Sequence, residues 1–281
     1  MDDNHALRAW ALGGDARYKA AVRALRESGL PVKTYAVPGM PDEAPCLEDA
    51  LSGAELLILP FRACTEEHLQ IGPERVELAL LPQLLAPHAI LVGGWFPDTA
   101  EQWLRANGIH CRSILEAERF QIRNAAVTAE AAVGEAMDAM TRTIFGADVL
   151  VIGWGRIGKQ LSEKLHALGA RVTVAARRET HRTEIETRGM RSEFTGEYRH
   201  GLDYDLIVNT VPAPVLRKEQ AERIEGDCVL MELASDPGGF PPELPVRRCG
   251  GLPGRRVPET AGKNLAEAVW DCLTGEGRPL E

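Results

Sequence analysis

A chain of 281 residues, 44% apolar and 26% charged, has the composition of a globular protein and the length for two domains of ordinary size. Acidic residues outnumber basic ones 41 to 32, so the formal charge is −9, the wrong sign for a protein whose whole surface binds nucleic acid. No apolar run approaches the ~20 residues that span a bilayer, and the opening "MDDNHALRAW" lacks the basic-then-apolar order of an export signal. Neither a nucleic-acid nor a membrane partner is expected. The six cysteines, at 46, 64, 111, 228, 249 and 272, include no C-x-x-C pair, so no metal site is expected either. Reduced thiols and a cytoplasmic location follow as expectations.

From the N-terminus, "ALRAWALGG" reads as a strand and turn. "ARYKAAVRALRESG" reads as a helix, with Ala20, Ala21, Ala24 and Leu25 at helical spacing and a stop at Gly29. "PVKTYAV", "GAELLILPF" and "HAILVGGWF" read as strands. Strands separated by helical stretches predict a parallel sheet with crossover helices. "NAAVTAEAAVGEAMDAMTRTI", residues 124–144, is alanine-rich and proline-free and reads as one long helix. Thr128, Glu130 and Glu135 then fall near its start, where unpaired amides favour carboxylates. The alternation restarts with "ADVLVIG" as a strand, "RIGKQLSEKLHALG" as a helix, and "ARVTVAAR", "YDLIVNTVP" and "DCVLMELAS" as strands. "TAGKNLAEAVWDCLTG" reads as a last helix that ends at Gly275.

Gly153-Trp154-Gly155-Arg156-Ile157-Gly158 is a G-x-G-x-x-G between a strand and a helix, the context in which this pattern binds a dinucleotide. Gly153 allows the tight turn, Gly155 lets the backbone approach a pyrophosphate, and Gly158 lets helix and strand pack closely. An NAD site carries Asp or Glu at the end of the next strand. Here Arg177 and Arg178 stand there, nineteen and twenty residues after Gly158, and a guanidinium suits the 2′-phosphate of NADP. NADP is therefore favoured over NAD. Asn209, Thr210, Val211 and Pro212 end a later strand, at the sheet edge where ligands of open α/β sheets bind. The expected architecture is α/β, with two Rossmann-like domains built on parallel sheets, joined by a long helix, and a cleft between them. The bounds read from the chain are 1–123 for a substrate and catalytic domain, 124–145 for the bridging helix, 146–262 for the NADP-binding domain, and 263–281 for a final helix packing back on the first domain.

Seven stretches, "GGDARY", "NAAVTAEAA", "VLVIGWGRIGK", "GARVTVAARR", "NTVP", "ELASDPGGF" and "GLPGRRVPETAG", together resemble the A-subunit family of dipicolinate synthase, in order and over nearly the whole chain. The resemblance implies an NADP(H)-dependent oxidoreductase of sporulating bacteria. With a flavoprotein-like B-subunit it would form pyridine-2,6-dicarboxylate from a dihydrodipicolinate-pathway intermediate, as a homo- or hetero-oligomer. It also implies site residues. Gly14 would let a ligand approach, Arg17 would bind a carboxylate of a small dicarboxylate, and Asp15 would cap the following helix and serve beside Glu130 as a candidate acid–base group. Arg119, Asn124 and Thr128 would line the substrate region, and Ser235 would join them. Arg156, Ile157, Ala234 and Thr260 would border the coenzyme. The sequence departs from the family pattern at Asp236 and Glu259, where basic residues are expected, and at Ala131 and Ile157. Two alternatives stay open: an NADP-linked dehydrogenase of another small organic acid, and a dinucleotide-binding scaffold without chemistry. None of the seven histidines falls in these motifs, which weighs against a hydroxy-acid substrate.

Overall fold

β1 (Ala9–Leu12) is four buried residues in a row, the mark of a strand covered on both faces. Gly13 and Gly14, both at positive φ, turn the chain into α1 (Ala16–Glu27). Then come β2 (Val32–Tyr35), α2 (Leu47–Leu51), β3 (Leu56–Ile58), β4 (His68–Ile71), β5 (Glu74–Glu77), α3 (Leu81–Leu84), β6 (Ile90–Gly93), α4 (Asp98–Ala106) and β7 (His110–Ser113). The structure is a computed structural model and describes residues 7–199, 201–224 and 227–275. Contacts divide the chain into two units, one running to Asn124 and resuming at Pro253, the other Ala125–Leu252.

In the first unit, β2, β1, β3, β6 and β7 lie in that order in one parallel sheet, while β4 and β5 form a separate antiparallel hairpin. The chain moves outward from β1 to β2 and then returns past β1 to β3, so the order reverses between β1 and β3. Such a reversal leaves a crevice at the carboxyl ends of the two strands. Both faces of the sheet are covered, one by a cluster containing Leu12, Leu57, Leu91 and Leu104, the other by one containing Tyr18, Val22, Leu25, Leu265 and Val269. The last two belong to α10 (Pro258–Thr274), which lies against α1. A Cβ at Gly262 would come 2.4 Å from the Arg17 carbonyl oxygen, so the two helices meet backbone to backbone. Gly275, at φ 77°, ends α10 in the left-handed conformation that closes helices, at the expected stop.

The helix read as 124–144 is α5 (Glu118–Ala139), which spans the boundary between the units. It starts early because "ERFQIR" is good helix-forming sequence. Its Phe120 is buried in the first unit's core, and the Gln121 amide already donates to the Ala117 carbonyl. Thr128 and Glu130 are thus mid-helix and Glu135 lies near its end, which removes the dipole argument made for them.

The second unit holds β8 (Asp148–Ile152), α6 (Arg156–Ala167), β9 (Arg171–Ala175), α7 (Glu179–Thr187), β10 (Arg191–Glu193), β11 (Leu206–Asn209), α8 (Lys218–Ala221), β12 (Val229–Glu232) and β13 (Arg247–Arg248). α9 (Leu252–Arg256) follows at the boundary with the part that returns to the first unit. All six strands are parallel, in the order β10-β9-β8-β11-β12-β13. Numbered within the sheet this is 3-2-1-4-5-6, the order of dinucleotide-binding sheets, with the reversal between β8 and β11. Strands and helices too short or too polar to show a period, namely β4, β5, β7, β10, β13, α2, α3, α7, α8 and α9, had no reading from the sequence; neither did α4.

Candidate active site

Each sheet places a glycine turn at its point of reversal. In the second unit the turn after β8 is shaped by sterics. Gly153 sits at φ 111°, and a Cβ there would lie 2.4 Å from Thr210 Oγ1. A Cβ at Gly158 would lie 2.1 Å from the Gly153 carbonyl oxygen. At Gly155 a Cβ would meet no atom within 4 Å among the described residues. The outer glycines are therefore demanded by packing, and the middle one borders open space at the N-terminus of α6. Among the described residues no side chain caps that helix at Gly155. A glycine that packing does not require, beside helix amides without a side-chain cap, fits a diphosphate. Arg156 is exposed and Ile157 half-buried on the first turn of α6.

Trp154 is buried, and its Nε1–H donates to Glu184 Oε2 at 2.8 Å on α7. Lys159 Nζ lies 3.1 Å from Glu184 Oε1, and Arg188 pairs with the same carboxylate. The indole and ammonium donors hold the Glu184 carboxyl below its ordinary value of 4.5. A lowered folded-state value makes this a stabilising contact above the ordinary carboxylate range, lost as pH falls through the folded value. The urea midpoint of the wild type is therefore expected to fall between about pH 5 and pH 3 by more than that of Glu184→Gln. Equal acid losses in the two would show that the cluster contributes nothing.

After β9 no carboxylate is present at the strand end. Arg177 and Arg178 are exposed, and among the described residues neither guanidinium has a hydrogen-bond or ion-pair partner. The loop beneath them is fixed by Arg182, whose Nη1 donates to the carbonyls of Ala176 at 3.2 Å and Arg177 at 3.0 Å.

The residues at the end of β11 use their polar side chains within the protein. Asn209 is fully buried, and its side chain is used internally. Nδ2 donates to the Val211 carbonyl and to Glu232 Oε1, both at 2.8 Å, and Oδ1 accepts from the Val211 amide at 3.0 Å. Thr210 Oγ1 donates to the Ile152 carbonyl at 2.9 Å. Asn209, Thr210 and the Val211 amide thus build the turn rather than offer polar groups to a ligand. Pro212 is exposed, as is Ser235, but the Ala234 amide is taken by Glu232. Glu232 had no reading from the sequence; an acidic residue inside the apolar run "CVLMELA" was the available signal.

In the first unit, Asp15 caps α1 by accepting from the Arg17 amide at 3.1 Å. The same carboxylate takes the Arg17 guanidinium in a two-pronged bond, Nε to Oδ1 at 2.8 Å and Nη2 to Oδ2 at 2.8 Å. Arg17 is buried, and its guanidinium carbon lies 4.8 Å from the centre of the Phe61 ring. Expected as an open fork for a ligand, Arg17 has one edge already closed. A Cβ at Gly14 would strike the Tyr18 ring at 2.2 Å, and one at Gly254 would strike Asp15 Oδ2 at 2.3 Å. The "GGDAR" and "GLPG…TAG" stretches, remote in sequence, are therefore in contact. Thr260 is exposed on the first turn of α10 and belongs to this unit, not to the one with the glycine turn expected to hold coenzyme. Glu259 pairs with Arg23 of α1. Arg119 is exposed and paired with Asp271 at 3.0 Å. On α5, Asn124 is half-buried, Thr128 buried and Glu130 exposed. All six cysteines are free thiols, and burial pushes those of Cys64, Cys111 and Cys228 up to about 12, so they offer no ready nucleophile.

Comparison with known proteins agrees with this division. Residues 10–115 match the family model for the N-terminal domain of the dipicolinate synthase A-subunit. Residues 110–215 match the D-isomer specific 2-hydroxyacid dehydrogenase, NAD binding domain. The dipicolinate synthase A-subunit of Bacillus subtilis strain 168 is 27% identical over 95% of this chain and 96% of its own length. The crystal structure of the dipicolinate synthase A-subunit from Bacillus subtilis superposes with a TM-score of 0.76 at 25% identity, covering 96% of each chain. Its counterpart from Bacillus halodurans gives 0.79 at 23%, covering 95% of this chain and 98% of the other. No described helix is long and apolar enough to cross a membrane. The dehydrogenase-type domain and its glycine turn make the chain an oxidoreductase with a nicotinamide dinucleotide site. Along nearly its whole length the chain is similar to the dipicolinate synthase A-subunit, whose N-terminal domain its residues 10–115 match.

Proposed function

We propose that the chain is an NADP(H)-dependent oxidoreductase subunit that forms pyridine-2,6-dicarboxylate from a dihydrodipicolinate-pathway intermediate, together with a flavoprotein-like B-subunit. When bound, the dinucleotide supplies hydride transfer at its nicotinamide ring. The backbone at Gly155 and the first amides of α6 hold the pyrophosphate, with Gly153 and Gly158 fixing the turn. Arg177 and Arg178 grip the ribose 2′-phosphate. Gly14, Arg17, Arg119, Asn124, Thr128 and Ser235 are the substrate-binding candidates, and Arg17 does so through the guanidinium edge that Asp15 leaves open. Asp15, which already engages Arg17 with both oxygens, and Glu130 are the acid–base candidates.

The observation that carries the NADP reading is the exposed arginine pair, without a partner among the described residues, where an NAD site needs a carboxylate. Calorimetric titration tests it. The wild type should bind NADPH at least tenfold more tightly than NADH. Arg177→Ala/Arg178→Ala should weaken NADPH about 100-fold, from two charge-assisted contacts of about 1.5 kcal/mol each, and leave NADH unchanged. Equal affinities for the two coenzymes would overturn the NADP reading. The substrate reading is tested by following nicotinamide absorbance with dihydrodipicolinate-derived substrate and the B-subunit; no turnover would overturn it.

A further inference from the structure

Glu232 is 3% exposed, on the last position of β12, and it accepts four hydrogen bonds. Oε1 accepts from Asn209 Nδ2 at 2.8 Å and from the Ala234 amide at 3.1 Å. Oε2 accepts from the Gly239 amide at 2.8 Å and the Phe240 amide at 3.4 Å. Among the described residues no cation pairs with it. Burying a carboxylate without a counter-ion is unfavourable unless neutral donors replace water. The surrounding backbone is shaped to supply them. A Cβ at Gly238 would lie 2.8 Å from Glu232 Oε2, and one at Gly239 would lie 2.5 Å from Asn209 Nδ2. Gly238 thus follows from the carboxylate, and Gly239 from the close approach of Asn209 and the turn after β11. A leucine here would serve packing alone, since Met231 and Leu233 on either side are buried.

The bonds tie two segments at the carboxyl edge of one sheet, the turn after β11 and the loop 234–240 after β12. Asn209 carries the tie onward to Val211, whose side chain, like that of Thr210, borders Gly153. In a sheet of this strand order the dinucleotide lies across the reversal, one half over the strands on each side. β11 and β12 are on the side opposite β9. We infer that Glu232 is a positioning residue: its carboxylate clamps the loop after β12 to the turn after β11 and so sets the backbone that borders the nicotinamide half of the coenzyme.

The inference rests on the dinucleotide reading, and the test separates the two. In Glu232→Gln the carboxamide presents N–H groups to one pair of donors, so either the Gly239 and Phe240 amides or the Asn209 and Ala234 groups lose their acceptor. The variant should bind NADPH at least tenfold more weakly by calorimetry, with KM for coenzyme raised by a similar factor. Exchange of the Gly239 amide hydrogen should speed up at least tenfold. A merely structural role would lower the melting temperature and leave the affinity of the folded protein unchanged; that result overturns the inference. A wild type that binds neither NADPH nor NADH overturns the coenzyme reading instead, while faster exchange at Gly239 in the variant would still uphold the clamp. Should Glu232→Gln fail to fold, Asn209→Ser removes one arm only and should weaken NADPH binding at least threefold; unchanged affinity there also overturns the inference.

Discussion

Gly158→Ala is expected to abolish dinucleotide binding and to destabilise the second unit together, whereas Gly155→Ala abolishes binding alone. At Gly158 the new methyl would lie 2.1 Å from a backbone oxygen of Gly153, and a backbone atom cannot swing aside as a side-chain end does. Overpacking of this kind costs about 1–3 kcal/mol, and relief requires moving β8 away from α6, which destroys the turn itself. At Gly155 the backbone is at φ −84°, open to any residue, and the methyl meets nothing within 4 Å. Losing glycine as the helix N-cap costs at most about 1 kcal/mol, a shift of about 2–4 °C in melting temperature. The methyl nevertheless fills the space where a diphosphate must approach the amides. Melting curves and NADPH titration on the two variants read both effects. If Gly155→Ala binds NADPH as the wild type does, the open space beside it is not the phosphate site.

The second large effect is expected at Asp15. Asp15→Ala leaves the buried Arg17 guanidinium without its carboxylate and removes the cap of α1. Breaking a buried pair from one side costs about 3–5 kcal/mol. The low end applies, because the Asp15 side chain is 44% exposed and water can reach it. A loss of about 3 kcal/mol corresponds to a fall of about 10 °C in melting temperature for a unit of this size. Arg17→Met keeps the packing on Phe61 and leaves only a half-exposed carboxylate unpaired, so it should lose less. The double variant should recover part of the loss of Asp15→Ala, the sign of direct coupling. Urea denaturation of the three variants decides the matter. A loss below about 1 kcal/mol in Asp15→Ala would show that the pair is not structural. Arg17 would then be free in the sense first expected, with its whole fork available to a dicarboxylate.

The alternating strands and helices and the glycine turn are legible in the residues alone. Buried parallel strands are runs such as "VLVIG" and "LIVN", apolar on both faces, and they stand out without knowledge of their partners. G-x-G-x-x-G is legible because its constraints act within six residues, and Gly153 and Gly158 indeed meet each other. The same locality made the Asp15 cap and the Gly275 stop readable. What sequence could not supply was any property that depends on which distant residue sits opposite. The closure of Arg17 on Asp15 is a choice of rotamer, and the contact of Gly254 with Asp15 joins residues 239 positions apart. The inward turn of Asn209 depends on Glu232 across a neighbouring strand, and the exposure of Glu130 on which face of α5 other elements cover. Propensity and spacing are short-range quantities, whereas burial and hydrogen-bond partnership are fixed only when the sheet order brings strand ends together.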